Sequence, residues 1–348
     1  MLYKLLGVFL IIFLMFNTTY AANDVEKVII YNWSDYMPAG VLQDFTEETG
    51  IEVEYSTYDS NEVMFAKLGI LEGRGYDVIV PSTDFVEKMY KEGLLHEIDK
   101  ELVDNLKYLD KGLLNRGYDP HNKYSIPYLF GSTAIAVNSN KIDATKIKYW
   151  HDLWDKKWNR SLLFIDDMRS IFHMAFKING HSSNSQNKEE IKQAYELLKP
   201  LMKNFKILTG DKPGDRFLNN DVYLGTLWNG EAADAQSVNS AIKYIYPKEG
   251  AIFWIDSFVI PSQASNIENA HTFINYMLRP DIAIRCVNEL GYATPNVTAK
   301  MFLDDNIKKN PIIFPPQNLL EKAEFPRDVG NLLKTYSLYW DKLKTYRQ

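Results

Sequence analysis

From residue 28 onward, short apolar or β-branched runs alternate with stretches of helical periodicity, and that alternation leaves few architectures open. Residues 28–31 read as a buried strand, and Pro38 opens a helix whose Val41, Leu42 and Phe45 share one face until Gly50 stops it. Strand 51–58, helix 62–71, strand 77–80 and helix 85–91, closed by Gly93, follow in turn. Such an order gives an α/β fold with a mainly parallel sheet covered by helices. The pattern resumes after Asn138 with strand 161–165, helices 166–177 and 189–203, strand 222–227 and the strand-like run 250–261, before helices 267–278 and 281–290. A second α/β lobe is therefore expected to begin near residue 132. No Pro- or Gly-rich linker separates the two, so short crossings must join them more than once.

The amino terminus sets the compartment. Lys4 precedes the apolar run 5–16 and a polar stretch ending Thr19-Tyr20-Ala21, which has the form of a secretory signal peptide, 1–21, cleaved after Ala21. The apolar run falls short of the roughly 20 residues that span a bilayer as a helix. A lipid-anchored form would need a cysteine just after it, and the only cysteine is Cys286. That lone thiol also excludes an internal disulfide, so stability must come from packing. The net charge of −6, one unit more negative once Lys4 is removed, disfavours nucleic acid and anionic membrane surfaces and mildly favours cationic ligands.

Polar and aromatic residues gather just beyond the carboxyl ends of the strands. Trp33, Ser34, Asp35 and Tyr36 follow the first strand; Ser82 and Asp84 follow 77–80; Asp166 and Asp167 follow 161–165. Trp228 and Glu231 follow 222–227, and Trp254 and Asp256 lie within 250–261. In open α/β sheets the ligand crevice lies outside those strand ends, so distant positions converge on one cleft. Carboxylates accept charge-assisted hydrogen bonds from ammonium groups, and aromatic faces cover methylene chains and attract cations. A flexible methylene chain punctuated by ammonium groups needs both.

Each residue also has an ordinary structural use. Asp84 and Asp166 or Asp167 stand where helices begin and could cap them, while Trp33, Trp228 and Trp254 could be core aromatics. Joint recurrence after five strand ends favours a cationic cleft. Catalytic signatures are missing: there is no Gly-x-Ser-x-Gly elbow, no phosphate-binding Gly-x-x-x-x-Gly-Lys-Ser/Thr loop and no His-Glu-x-x-His helix. The six histidines show no metal spacing. An Asp/Glu pair for glycoside hydrolysis stays a minority reading.

Several segments resemble the periplasmic spermidine/putrescine-binding proteins of ATP-driven (ABC) polyamine importers. They are Tyr31-Asn32-Trp33-Ser34-Asp35-Tyr36, Tyr55-Ser56-Thr57-Tyr58, Tyr76-Asp77-Val78-Ile79-Val80-Pro81-Ser82-Thr83, Tyr124-Ser125-Ile126-Pro127-Tyr128, Trp228-Asn229-Gly230, Pro247-Lys248-Glu249-Gly250 and Gly291-Tyr292-Ala293-Thr294-Pro295-Asn296. The resemblance implies a two-lobed periplasmic binding protein fold (type II) with the ligand in the interlobe cleft. It places residues 27–131 and 256–302 in the N-terminal lobe and 132–255 and 303–348 in the C-terminal lobe. It implies polyamine contact at Trp33, Ser34, Asp35, Tyr36, Ser82, Asp167, Trp228, Trp254, Asp256 and Tyr292, with Asp256 gripping an amine near the cleft centre.

The spermidine pattern has Glu at Asp35, Tyr at Asp84, Glu at Ser170, a small polar residue at Glu231 and Gln at Pro326. Putrescine-binding relatives carry Ser-Asp at Ser34 and Asp35 and an Asp at Glu231, so the pocket is a hybrid in which Asp84 and Glu231 join the expected binding set. The chain is then expected to be a periplasmic monomer, neither an enzyme nor a nucleic-acid binder, with no cofactor or metal and with a membrane permease as partner. A sensor presenting the same ligand to a membrane receptor is the alternative.

Overall fold

The computed structural model describes residues 26–346, so the signal-peptide segment 1–21 lies outside the described residues. The first unit is β1 (Lys27–Trp33), α1 (Val41–Thr49), β2 (Glu52–Tyr58), α2 (Asn61–Ile70), β3 (Val78–Ile79) and α3 (Thr83–Lys91), followed by the long β4 (Ser125–Asn138). Beyond it come β5 (Leu162–Phe164), α4 (Met168–Ile178), α5 (Lys188–Leu201), β6 (Phe205–Leu208), α6 (Pro213–Leu218), β7 (Leu224–Trp228), α7 (Asn229–Val238), β8 (Ile242–Ile245) and β9 (Ile252–Val259). The chain ends in α8 (Ile267–Met277), α9 (Pro280–Leu290), three short helices, α10 (Val297–Phe302), α11 (Asp305–Lys308) and α12 (Gln317–Leu320), and α13 (Leu333–Thr345).

One sheet runs through the molecule in the order β2-β1-β3-β9-β4-β7-β5-β6, with β8 also paired to β4. At its two ends the pairs are parallel: β1 with β2 and β3, and β5 with β6 and β7. In the middle they are antiparallel, because β4 and β9 pair with each other from Ser125↔Val259 to Thr133↔Ile252 and with the strands beside them. The sheet is thus mixed. The parallel strands come from strand-helix-strand crossovers, whereas β4 and β9 are the strands that pass from one half of the molecule to the other.

Separate cores lie to either side of that passage. Val28, Phe45, Val78, Ile126, Leu129, Phe258 and Phe273 pack together on one side. Ile135, Trp150, Phe164, Phe172, Leu198 and Tyr336 pack together on the other. Residues between 303 and 325 touch both, Ile313 and Phe314 joining the first half and Ile312 a cluster with Leu163 and Phe217 in the second.

The two halves are also pinned along α3. Thr83 Oγ1 donates to Pro326 O at 2.7 Å, and Arg327 grips Glu87 with Nε at 2.6 Å and Nη2 at 2.8 Å. The Asp328 amide adds a bond of 3.0 Å to the same carboxylate, and Lys91 lies 3.0 Å from it. Burial opposes the charge on Glu87, but Arg327, Lys91 and the Asp328 N–H outweigh it and hold its pKa below the usual value. Arg327→Ala removes two of the bonds to this carboxylate, 4% exposed, and is expected to lower the urea-unfolding free energy by about 1–3 kcal/mol. Because 42% of the Arg327 side chain is open to solvent, screening places the effect in the lower half of that range. An unchanged midpoint and slope would mean that Lys91 and the Asp328 N–H suffice for Glu87.

Candidate functional site

The site starts at the end of β1, where the chain turns through Ser34 and Asp35. Buried Asn32 holds the turn, its Oδ1 accepting from Trp33 N at 2.8 Å and its Nδ2 donating to Tyr36 O at 3.2 Å. Asp35 takes a φ of 52°, the left-handed region that Asp tolerates better than most residues. The turn brings Tyr36 back inside, where its hydroxyl donates to Asp256 Oδ2 at 3.0 Å. Ser82, at the end of β3, donates to Asp256 Oδ1 at 2.5 Å. Asn61 in turn clasps Ser82, accepting from its N–H at 3.2 Å and donating to its hydroxyl at 3.1 Å. Three strand ends thus converge on one carboxylate.

Two other buried carboxylates show what a structural one looks like. Asp77 accepts three backbone N–H bonds, from Ile29, Ser265 and Asn266, together with the Asn266 side-chain amide. Asp119 accepts backbone bonds from Lys123, Tyr124 and Ser125 and a bond from the Ser125 hydroxyl. Asp256, 5% exposed, has only two hydroxyls, and no lysine or arginine pairs with it among the described residues. Burial drives its pKa up to about 7, against the Ser82 and Tyr36 bonds that favour the charge; nearby Asp84 adds to the rise. A group so placed gains most from an arriving cation.

Aromatic rings wall this carboxylate. Trp254 lies two residues earlier on the same face of β9, and its ring stands 5.4 Å from that of Tyr292 in an edge contact. Tyr292 meets Tyr36 at 5.3 Å, and Trp33 meets Tyr58 at 4.7 Å with its indole N–H on Val80 O at 2.8 Å. The Trp254 indole nitrogen is buried without a hydrogen-bond partner among the described residues. Gly230, just after Trp228, has no room for a Cβ because the Tyr292 ring occupies that space.

Further acidic groups stand on either side. Asp35 and Glu231 both act on Tyr292, burial and then Glu231 raising the pKa of its phenol. Glu231 Oε2 accepts from Gly214 N at 2.9 Å, so half of this carboxylate is committed to the start of α6. Asp84 and Asp167 stand at the starts of α3 and α4, from opposite halves of the molecule. Asp167 does cap α4: Oδ1 accepts from Arg169 N at 2.8 Å and Ser170 N at 3.1 Å, and Oδ2 from the Ser170 hydroxyl at 2.7 Å. Asp84 lies 3.8 Å from Arg169 Nη1, and burial lifts its pKa to about 6 although Arg169 opposes the shift.

Of the sequence candidates, Ser34 points elsewhere, its hydroxyl donating to exposed Asp59 at 2.7 Å. Glu62 was missed: burial, then Asp167 and Asp84, push its pKa to about 7, although its side chain still reaches solvent. The end of β2 obeys the same strand-end rule that picked out the others, and Asn61 and Glu62 follow it. Among the described residues no group of His, Cys, Asp and Glu is arranged to hold a metal ion. No helix there is long and apolar enough to cross a membrane.

The two cores, the crossing strands and the walled carboxylate between them define a two-lobed solute-binding protein with its ligand cleft between the lobes. Residues 40–315 match the family described as bacterial extracellular solute-binding protein, and the chain belongs to that family. It is 43% identical over 326 residues to the spermidine/putrescine-binding periplasmic protein of Salmonella typhimurium, covering 94% of each chain. With the putrescine-binding periplasmic protein SpuD of Pseudomonas aeruginosa it shares 32% identity over 345 residues and 93% of each chain. The crystal structure of the spermidine/putrescine ABC transporter substrate-binding protein PotD of Streptococcus pneumoniae matches with a TM-score of 0.80 at 33% identity, covering 93% of this chain and all of that one. The resemblance read from the sequence motifs therefore extends over nearly the whole chain.

Proposed function

We propose that this protein captures a polyamine, spermidine and/or putrescine, in the cleft around Asp256 and delivers it to the membrane permease of an ABC importer. The observation that carries this reading is Asp256 itself, a buried carboxylate held by two hydroxyls, without a cation partner among the described residues, on the strand that also carries Trp254, whose ring meets Tyr292. An ammonium supplies the missing positive charge and the rings cover the methylenes beside it. Relatives named for polyamine binding in the periplasm support the same compartment for this chain. There the mature protein acts as a monomer from which residues 1–21 have been removed. The lobes divide at residues 27–131 with 256–302 and 132–255 with 303–348, with the last crossing in the stretch that touches both cores. The binding set is Trp33, Ser34, Asp35, Tyr36, Ser82, Asp84, Asp167, Trp228, Glu231, Trp254, Asp256 and Tyr292.

Titration calorimetry and thermal unfolding test this directly. A ligand that binds only the folded state at 100 times its Kd adds about 2.7 kcal/mol, which corresponds to roughly 4 °C in Tm for a chain of this size. Putrescine or spermidine should give that shift, and free lysine, glucose and phosphate should give none. A shift with glucose and none with either amine would overturn the ligand class.

A further inference from the structure

Beyond Asp256 the cleft carries a third acidic place, around Asp84 and Asp167, and one residue beside it, Glu62, has no role assigned by the resemblance. The Asn61 clasp on Ser82 sets the first turns of α2 and α3 side by side, and Glu62 lies within electrostatic reach of Asp84 and Asp167. Asp167 faces them from α4, across the cleft. Three carboxylates meet there with one cation, Arg169, whose guanidinium is also engaged with Arg327 O at 3.2 Å and Asn184 Oδ1 at 3.2 Å.

The three are not equally committed. Asp167 has both oxygens occupied by the start of its own helix. Asp84 is 7% exposed, receives no hydrogen bond from another side chain, and has the Arg169 guanidinium only at 3.8 Å. Glu62 enters no ion pair among the described residues and reaches solvent at the rim, so its side chain is free to turn toward a cation. Together with Asp35 and Glu231 on the other side of Asp256, these residues make three acidic places in succession. A diamine supplies two ammonium groups and a triamine three.

On the basis of the polyamine reading above, we propose that Glu62 is a specificity-determining residue that, with Asp84, receives the end ammonium of a triamine. A diamine lacks the nitrogen that reaches this place. Glu62 therefore favours the longer ligand.

The test is Glu62→Gln, compared with the parent by calorimetry using spermidine and putrescine at pH 7.5. Spermidine is expected to bind about ten-fold or more weakly to the variant, as losing one charge-assisted bond implies, while putrescine stays within threefold. Titration in buffers of different ionisation enthalpy should also show fewer protons released per spermidine bound. Glu62 lies on an exposed first turn, and an unchanged Tm of the ligand-free variant will show that the fold is intact. Equal losses for both amines, or no loss for spermidine, would overturn the assignment. A parent that binds putrescine but not spermidine would overturn it while leaving the polyamine reading standing, whereas a parent that binds neither amine would overturn both.

Discussion

Asp256→Asn is expected to remove most polyamine binding while leaving the fold unchanged. Asparagine has nearly the shape of aspartate and can still meet the Tyr36 and Ser82 hydroxyls, so the substitution removes charge and little else. Losing one partner of a buried charge pair costs about 2–5 kcal/mol, roughly 30-fold to several thousandfold in Kd. The ligand-free variant should be as stable as the parent or slightly more so, because a buried carboxylate without a cation partner has been neutralised. Calorimetry would read the affinity and thermal unfolding the stability. Binding within threefold of the parent would place the ammonium elsewhere.

Affinity should also fall steeply with acid. Asp256 titrates near 7 and Asp84 near 6 in the ligand-free protein, both raised mainly by burial. An ammonium binds the carboxylate form, so below these values each protonated group must first give up its proton, weakening binding by up to about tenfold per group for each pH unit. Between pH 8 and pH 5.5 the spermidine Kd is expected to rise by two orders of magnitude or more, and Asp256→Asn should flatten the profile. The sign for stability is opposite. A carboxylate with a raised folded pKa contributes stability that is complete below its unfolded value near 4 and is lost as pH rises through 6 to 7. Without ligand, the parent should lose stability relative to Asp256→Asn across that window. A parent Kd that is flat from pH 8 to 5.5 would mean that these groups do not meet the ligand.

The alternating elements of the first third were legible in the sequence because each is local. The 28–31 run grew to Lys27–Trp33, and the helix ending at Gly50 is present, though it begins at Val41 after a left-handed Gly40 and not at Pro38. Less legible was β4, a 14-residue strand interrupted in sequence by Pro127 and Gly131, two residues that ordinarily mark strand ends. The structure absorbs Pro127 at a register shift, and Gly131 leaves room for the Trp254 ring. Helix α7 escaped because its Asn-Gly-Glu-Ala-Ala start carries no apolar stripe. The candidate site was readable wherever acidic and aromatic residues follow a strand. Glu62 was passed over because it looked only like the first residue of a helix, and the turn of the Ser34 hydroxyl toward Asp59 is a tertiary contact that no local pattern encodes.

The strands that cross between the lobes also hold the centre of the cleft. Trp254 and Asp256 lie on β9 opposite Gly131 and Leu129 of β4, where the packing passes from one core to the other. This is the fulcrum of any relative movement of the lobes, and points near a fulcrum travel least. Residues farther from these strands swing through longer arcs. Ligand held at Asp256 would therefore keep its grip while the rim opens, so the rim contacts break first and the central ammonium leaves last. Departure of the ligand then becomes a sequence of steps rather than one event, and the final step is set by a contact that lobe movement alone scarcely disturbs.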